Sequence, residues 1–248
     1  MRQWAAGCLA LVLLCSRSLA AIEQDPHLGR YEARTIVTGT DMRSRPAGMA
    51  ACLADVLVKV SGDPTLRDDP RLPALAAQAG NYATGFDYWD RMSGIPHHDE
   101  QGSSDRPYNL TVRFDPARVA AALHDLGRAP WPDPRPTLLV RMHVTGSGAP
   151  FDVTDGEPRA AGMRAALADS AQKYGMRAIV PGGGGTEGVP LLGTLALSQQ
   201  ALGWVAAWHV EWHGRGYDWG VRGVNFDEAF RVGVRGAMQV LSGHGAPR

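Results

Sequence analysis

The sequence predicts an α+β protein made of two small mixed α/β sandwich domains joined by a proline-rich linker. Three observations carry that expectation. Apolar residues recur at a period of 3.6 in some runs and at a period of 2 in others, and both kinds of run occur in each half of the chain. Pro130, Pro132, Pro134 and Pro136 fall within seven residues. They can continue neither a helix nor a central strand, so 129–136 reads as a linker between 22–128 and 137–248. The apolar content of 44% is that of a packed chain rather than a disordered one.

In the first half, 31–38 alternates as a strand. Residues 43–60 then carry a helical stripe of Met49, Leu53, Val56, Leu57 and Val60, stopped by Gly62 and Pro64. A second helix is expected over 70–79, a strand over 82–91 and a polar loop over 93–106. The strand expected over 108–114 places Leu110, Val112 and Phe114 on one face and Asn109, Thr111 and Arg113 on the other. Asp115 and Pro116 suit the cap and first turn of a helix that reaches 126.

The second half opens with a strand over 137–145. A helix over 157–174 turns Met163, Leu167, Ala171 and Tyr174 to one side. A short strand at 178–180 precedes the glycines of 182–185, which read as a flexible connection: no lysine follows them and no helix opens there, as a phosphate cradle requires. Three successive strands are expected over 191–197, 204–212 and 217–224. Asn225 caps the last helix with Glu228 three residues on, and Phe226, Phe230, Val234, Ala237 and Leu241 form its buried stripe.

The first twenty-one residues point to a compartment. Arg2, the apolar run 4–14 and the small residues around Ser18 and Ala20 have the order of a secretory signal peptide, and the run is too short for a membrane anchor. Cys8 and Cys15 would leave with it, so Cys52 stays as the one cysteine and no internal disulfide forms. The chain has 25 basic and 25 acidic residues, and loss of Arg2 and Arg17 leaves it slightly acidic. That balance supplies no electrostatic pull toward nucleic acid or anionic lipid.

Candidate chemistries are few. His209, Glu211 and His213 are alternate residues of one predicted strand, and imidazole with carboxylate suits a zinc-like ion. The opposite face, Trp204, Ala206, Trp208, Val210 and Trp212, is apolar, so a solvated outer face explains the same pattern without a metal. His97, His98, Asp99 and Glu100 form a second cluster in the polar loop. Ser170 and Lys173 have the spacing of penicillin-recognising enzymes, yet Ser170 sits late in its helix and Lys59 is the one other lysine, so the required Lys-Thr-Gly strand is missing. Trp131, in the proline segment, is the tryptophan expected to be partly exposed and open to a partner.

Several stretches resemble a family. Residues 51–63, running from Ala51 through Ser61, Gly62 and Asp63, together with Val112 to Pro116, Trp131, Arg135 and Pro136, are similar to the bacterial secreted family called domain of unknown function 2066. Tyr174, Gly175, Val180, Pro181, the strand from Trp204 to Trp212 and Phe226 to Ala229 continue the similarity, whereas the glycine run after Pro181 departs from it. The resemblance implies export and a two-unit α+β architecture, and brings no catalytic residue. The expected function is a periplasmic, non-enzymatic interaction or assembly factor of the bacterial envelope, with an envelope protein as partner, no cofactor, no nucleic acid and no membrane anchor after cleavage. The alternative is a metal-binding protein or metal-dependent hydrolase using His209, Glu211 and His213.

Overall fold

A computed structural model describes residues 28–94, 106–146 and 148–247, so the signal-like segment 1–21 and the cluster His97 to Glu100 lie outside the described residues. The fold is α+β, with helices packed against two sheets. Among the described residues no helix is long and apolar enough to cross a membrane.

The first sheet is antiparallel in the order β1-β3-β2, formed by β1 (Glu32–Thr38), β2 (Ala83–Asp90) and β3 (Pro107–Phe114). Its alternation buries Leu110, Val112 and Phe114 against α1 (Arg45–Ser61), whose Met49, Leu53, Val56, Leu57 and Val60 are all buried. The helix lies close because residue 48 is glycine: a β-carbon there would strike Val37 and Leu110. The helix expected over 70–79 shrinks to α2 (Leu72–Ala76), with 3-10 turns at Pro64–Asp68 and Ala79–Asn81 on either side. In α3 (Pro116–Asp125) the Asp115 carboxylate accepts from the amides of Ala117 and Arg118, capping the helix as expected.

The second sheet has six strands: β4 (Thr137–Thr145), β5 (Phe151–Asp152), β6 (Arg177–Ile179), β7 (Val189–Ser198), β8 (Gly203–Trp212) and β9 (Arg215–Val224). The order is β5-β4-β7-β8-β9, with β6 also on β4. β4 runs parallel to β6 and β7, and β7, β8 and β9 form an antiparallel meander. β5 has no counterpart in the sequence pattern, because two residues carry no period. β9 begins two residues earlier than expected, because the turn before it is only His213 and Gly214, both at positive φ (50° and 74°).

Two helices, α4 (Ala161–Tyr174) and α5 (Phe226–Leu241), cover one face of this sheet, and α5 carries the predicted stripe. The helix expected from 157 begins as a 3-10 turn at Pro158–Ala160. Close approach of α5 depends on two glycines. A β-carbon at Gly233 would collide with the Trp208 indole, and one at Gly236 with that of Trp219, whose Nε1 donates to the Val232 carbonyl at 3.2 Å.

The proline segment is held tightly rather than strung between the sheets. The Trp131 amide donates to the Val60 carbonyl at 2.8 Å, and the Arg135 guanidinium lies over the Trp131 ring, 4.6 Å from its centre. Arg135 Nη2 donates to Val60 at 3.1 Å, at the end of α1, and Nη1 to Gly175 at 3.3 Å, just past the end of α4. Both helices stop on a left-handed glycine, Gly62 (φ 74°) and Gly175 (φ 61°). A β-carbon at Gly62 would meet Ser242 and Trp131, and one at Gly175 would meet Arg135 and Lys59. Ser242, after α5, donates to the Gly62 carbonyl at 2.8 Å, and Lys173 of α4 reaches Asp55 of α1 at 2.9 Å. The buried residues of both sheets form one contiguous cluster.

Lys59 is buried beside this junction, donating to the carbonyls of Glu32 at 2.7 Å and Gly29 at 3.3 Å. Burial pulls its ammonium from the ordinary 10.5 to about 8. Between those values the unfolded chain holds a proton that the folded chain has released, so the folded state gains as pH rises; below about 8 both states are protonated and the burial cost is felt in full. The urea midpoint of the wild type should therefore rise relative to that of Lys59→Met between pH 7.5 and 10, and parallel curves would contradict this. Gly233→Ala should cost about 1 to 3 kcal/mol in the same assay by overpacking Trp208.

Candidate functional site

Strand alternation leaves one face of the larger sheet without helices. Along β4, Val140, Met142 and Val144 point to the core, which turns Arg141 and His143 outward. On β7 the same parity turns Leu192 and Thr194 outward, on β8 Ala207 and His209, and on β9 Asp218. The register lines these up in two rows. In one, His143 stands beside Thr194 and Thr194 beside Ala207; in the other, Arg141 stands beside Leu192, Leu192 beside His209 and His209 beside Asp218.

A groove of about 730 Å³ lies over these rows. One wall comes from Val153 and Thr154 after β5, and the other from Pro181, Gly182, Gly185 and Thr186 before β7. The walls are pinned to the sheet and to each other, because Val153 donates to the Met142 carbonyl at 2.9 Å and Asp155 to that of Pro181 at 3.0 Å. Gly182 and Gly184 sit at φ 86° and 56°, so this loop needs glycine for its path. The run expected to be a flexible connection is part of the wall.

Each side of the groove carries a histidine paired with an aspartate. His143 Nδ1 lies 2.7 Å from Asp152 Oδ1, and His209 Nδ1 lies 2.8 Å from Asp218 Oδ1. A carboxylate only accepts, so in each pair Nδ1 carries the hydrogen, and Nε2 is the ring nitrogen that the aspartate leaves unused. The pairs open away from each other, toward β5 on one side and β9 on the other. Between them the floor is Leu192, Thr194 and Ala207, small or neutral side chains that a ligand can lie across. The lining hydroxyls belong to Thr154, Thr186 and Thr194, and none is hydrogen-bonded to either imidazole.

The residues singled out in the sequence are placed differently. His209 lies in the groove, but its ring is turned to Asp218 on the next strand, and Glu211 does not line the cavity. His213 is not a strand residue: it occupies the turn at φ 50°, and its ring rests 4.5 Å from that of Trp212. The strand ends at Trp212, so the expected third ligand leaves the face that carries the first two. Among the described residues no group of three or more His, Cys, Asp or Glu side chains is arranged to hold a metal ion. Ser170 donates to the Ala166 carbonyl at 2.7 Å while Lys173 bonds Asp55, so the two do not form a nucleophile and base. Cys52 is fully buried, and desolvation pushes its thiol up to about 12. Trp131 is partly exposed, as expected, with Arg135 over its ring, and Trp89 is more exposed, at 60%.

Residues 27–132 match a family described as a domain of unknown function, DUF8605. This overturns the expected membership of domain of unknown function 2066. Residues 51–63 and 112–116, which carried much of that resemblance, lie inside the match, and what they encode is a buried helix ending on glycine against a strand, a geometry that unrelated families share. The match covers less than half of the chain and stops at Pro132, inside the proline segment. No curated protein and no solved structure matches the chain.

The two pairs make a spectroscopic prediction. Free neutral histidine favours hydrogen on Nε2, whereas long-range nitrogen–proton NMR spectra should show His143 and His209 protonated on Nδ1. Asp152→Leu should switch His143 alone, and a spectrum in which both rings already carry the Nε2 hydrogen would refute the pairing.

Proposed function

We propose that this chain is an exported, periplasmic protein that works by binding: a non-enzymatic interaction or assembly factor of the bacterial envelope, holding a partner in the groove on the outer face of its larger sheet. The groove carries the binding part of this reading. It is large enough for a peptide-sized or small-molecule ligand, lined by hydrogen-bonding groups of both signs, and has no hydroxyl aligned with either imidazole. The two imidazole Nε2 atoms, the Arg141 side chain and the lining threonines would fix orientation, and Leu192, 43% exposed, would supply apolar contact. With the earlier family assignment overturned, export rests on the order of charge, apolar run and small residues in 1–21.

The test places a photo-crosslinking residue at Thr194, on the groove floor, and separately at His124, exposed at the end of α3, in the full-length chain expressed in its native host. The expected result is a discrete adduct from position 194 that is missing from 124 and is lost with Leu192→Arg, on a protein recovered from the periplasm with its amino terminus at Ile22. Identical adduct patterns at the two positions, or an uncleaved protein in the cytoplasm, would end this reading.

A further inference from the structure

We propose that β9 is a self-pairing edge through which two copies of this chain join into one continuous sheet. β9 is the last strand in the order β5-β4-β7-β8-β9, and β8 holds only one of its two edges. Among the described residues, no backbone group of 215–224 bonds any other segment across the free edge. The stretch from Arg215 to Arg222, up to the bulge at Gly223, is an unpaired ladder that can template another strand, and proteins that keep such an edge single usually interrupt it with proline, lysine, an inward-facing charge or a bulge within the stretch. β9 has no proline and no lysine, and Tyr217, Trp219 and Val221 on its inner face are apolar.

What selects a second copy as the occupant is the charge pattern. Two identical antiparallel strands related by an axis perpendicular to the sheet must place one residue opposite its own counterpart, since side chains alternate with period 2. With Gly220 on the axis, Asp218 faces Arg222 of the second copy and Arg222 faces its Asp218. The inner face then sets Trp219 against Val221, and the regular pairing runs from Asp218 to Arg222, where the β-bulge at Gly223 (φ 71°) ends it. Moving the axis to Asp218 would place carboxylate against carboxylate, and axes at Trp219 or Val221 would leave both charges facing uncharged residues.

Both charges are available for this. Arg222 forms no ion pair among the described residues. Asp218 is 81% exposed at its side chain and gives only Oδ1 to His209, so Oδ2 remains to accept from the partner guanidinium. A glycine on the axis is also required within each copy, because a β-carbon at 220 would strike the Ala206 carbonyl. Joined in this way, the two grooves lie on the same face of a twelve-stranded sheet.

Sedimentation equilibrium of the purified protein reads the proposal. The wild type should dimerise reversibly, and Asp218→Arg or Arg222→Asp alone should raise the dimer Kd by about tenfold or more, since each turns two attractive pairs into two like-charged ones. The double swap Asp218→Arg with Arg222→Asp should restore pairing to within about threefold, which misfolding of either single variant could not produce. As a readout independent of affinity, Asp218→Cys with Arg222→Cys should oxidise to a covalent dimer while neither single variant does; buried Cys52 does not take part. A wild type that is monomeric up to about 100 μM, single reversals without effect on Kd, or a double swap that fails to restore pairing would each overturn it.

Discussion

The structure is organised around one arginine. Arg135 sits where α1 and α4 end, donating into the carbonyls that each helix leaves unsatisfied, with its flat face on Trp131. A cation at two converging helix C-termini meets two negative dipole ends at once. Burial lowers its pKa from 12.5 to about 10, which still leaves it charged at neutral pH. The terminal glycines ease this approach, since both lie at positive φ and β-carbons at 62 and 175 would crowd Trp131 and Arg135. The prolines that divide the sequence thus deliver the residues that bring its halves together.

That junction fixes the backs of both sheets and leaves the far face of the larger one bare. The groove exists because α4 and α5 lie on one side only, while the strands continue their alternation on the other. Its walls are short loops pinned by backbone hydrogen bonds, so its shape follows from the sheet rather than from side-chain conformations. The histidine–aspartate pairs are solvent-accessible and contribute little to stability; each holds its ring by Nδ1 and leaves Nε2 to serve recognition.

Much of the fold was legible in the sequence where one face of a long element is buried. The stripe of α5, the alternation of β8 and the cap at Asp115 came through because period and capping chemistry are local properties. β5 did not, because two residues are a strand only by virtue of β4 beside them. The groove was legible only in fragments. His209 stood out, but alternation within β8 displayed Glu211 and His213 as its neighbours, whereas its actual partner lies across the turn. A two-residue turn at His213 and Gly214 sets Trp212 against Arg215 and so His209 against Asp218; reading the turn before the strand would have found the pair. Asp152 was out of reach, because its place depends on β5.

The parallel pairing of β4 with β7 has a consequence for how the molecule acquires its shape. β7, β8 and β9 follow one another through short turns, so their pairing closes small loops, whereas Val140 meets Leu191 only after a crossover of about fifty residues has been drawn in. The meander can therefore assemble while β4 is still absent. Until β4 docks, Leu191 and Leu195 lack the contacts of that strand and the β7 edge stands open. The groove is thus completed only when the early and late parts of the chain meet, because its floor is on the locally closed meander while Arg141 and His143 come from the strand recruited from a distance.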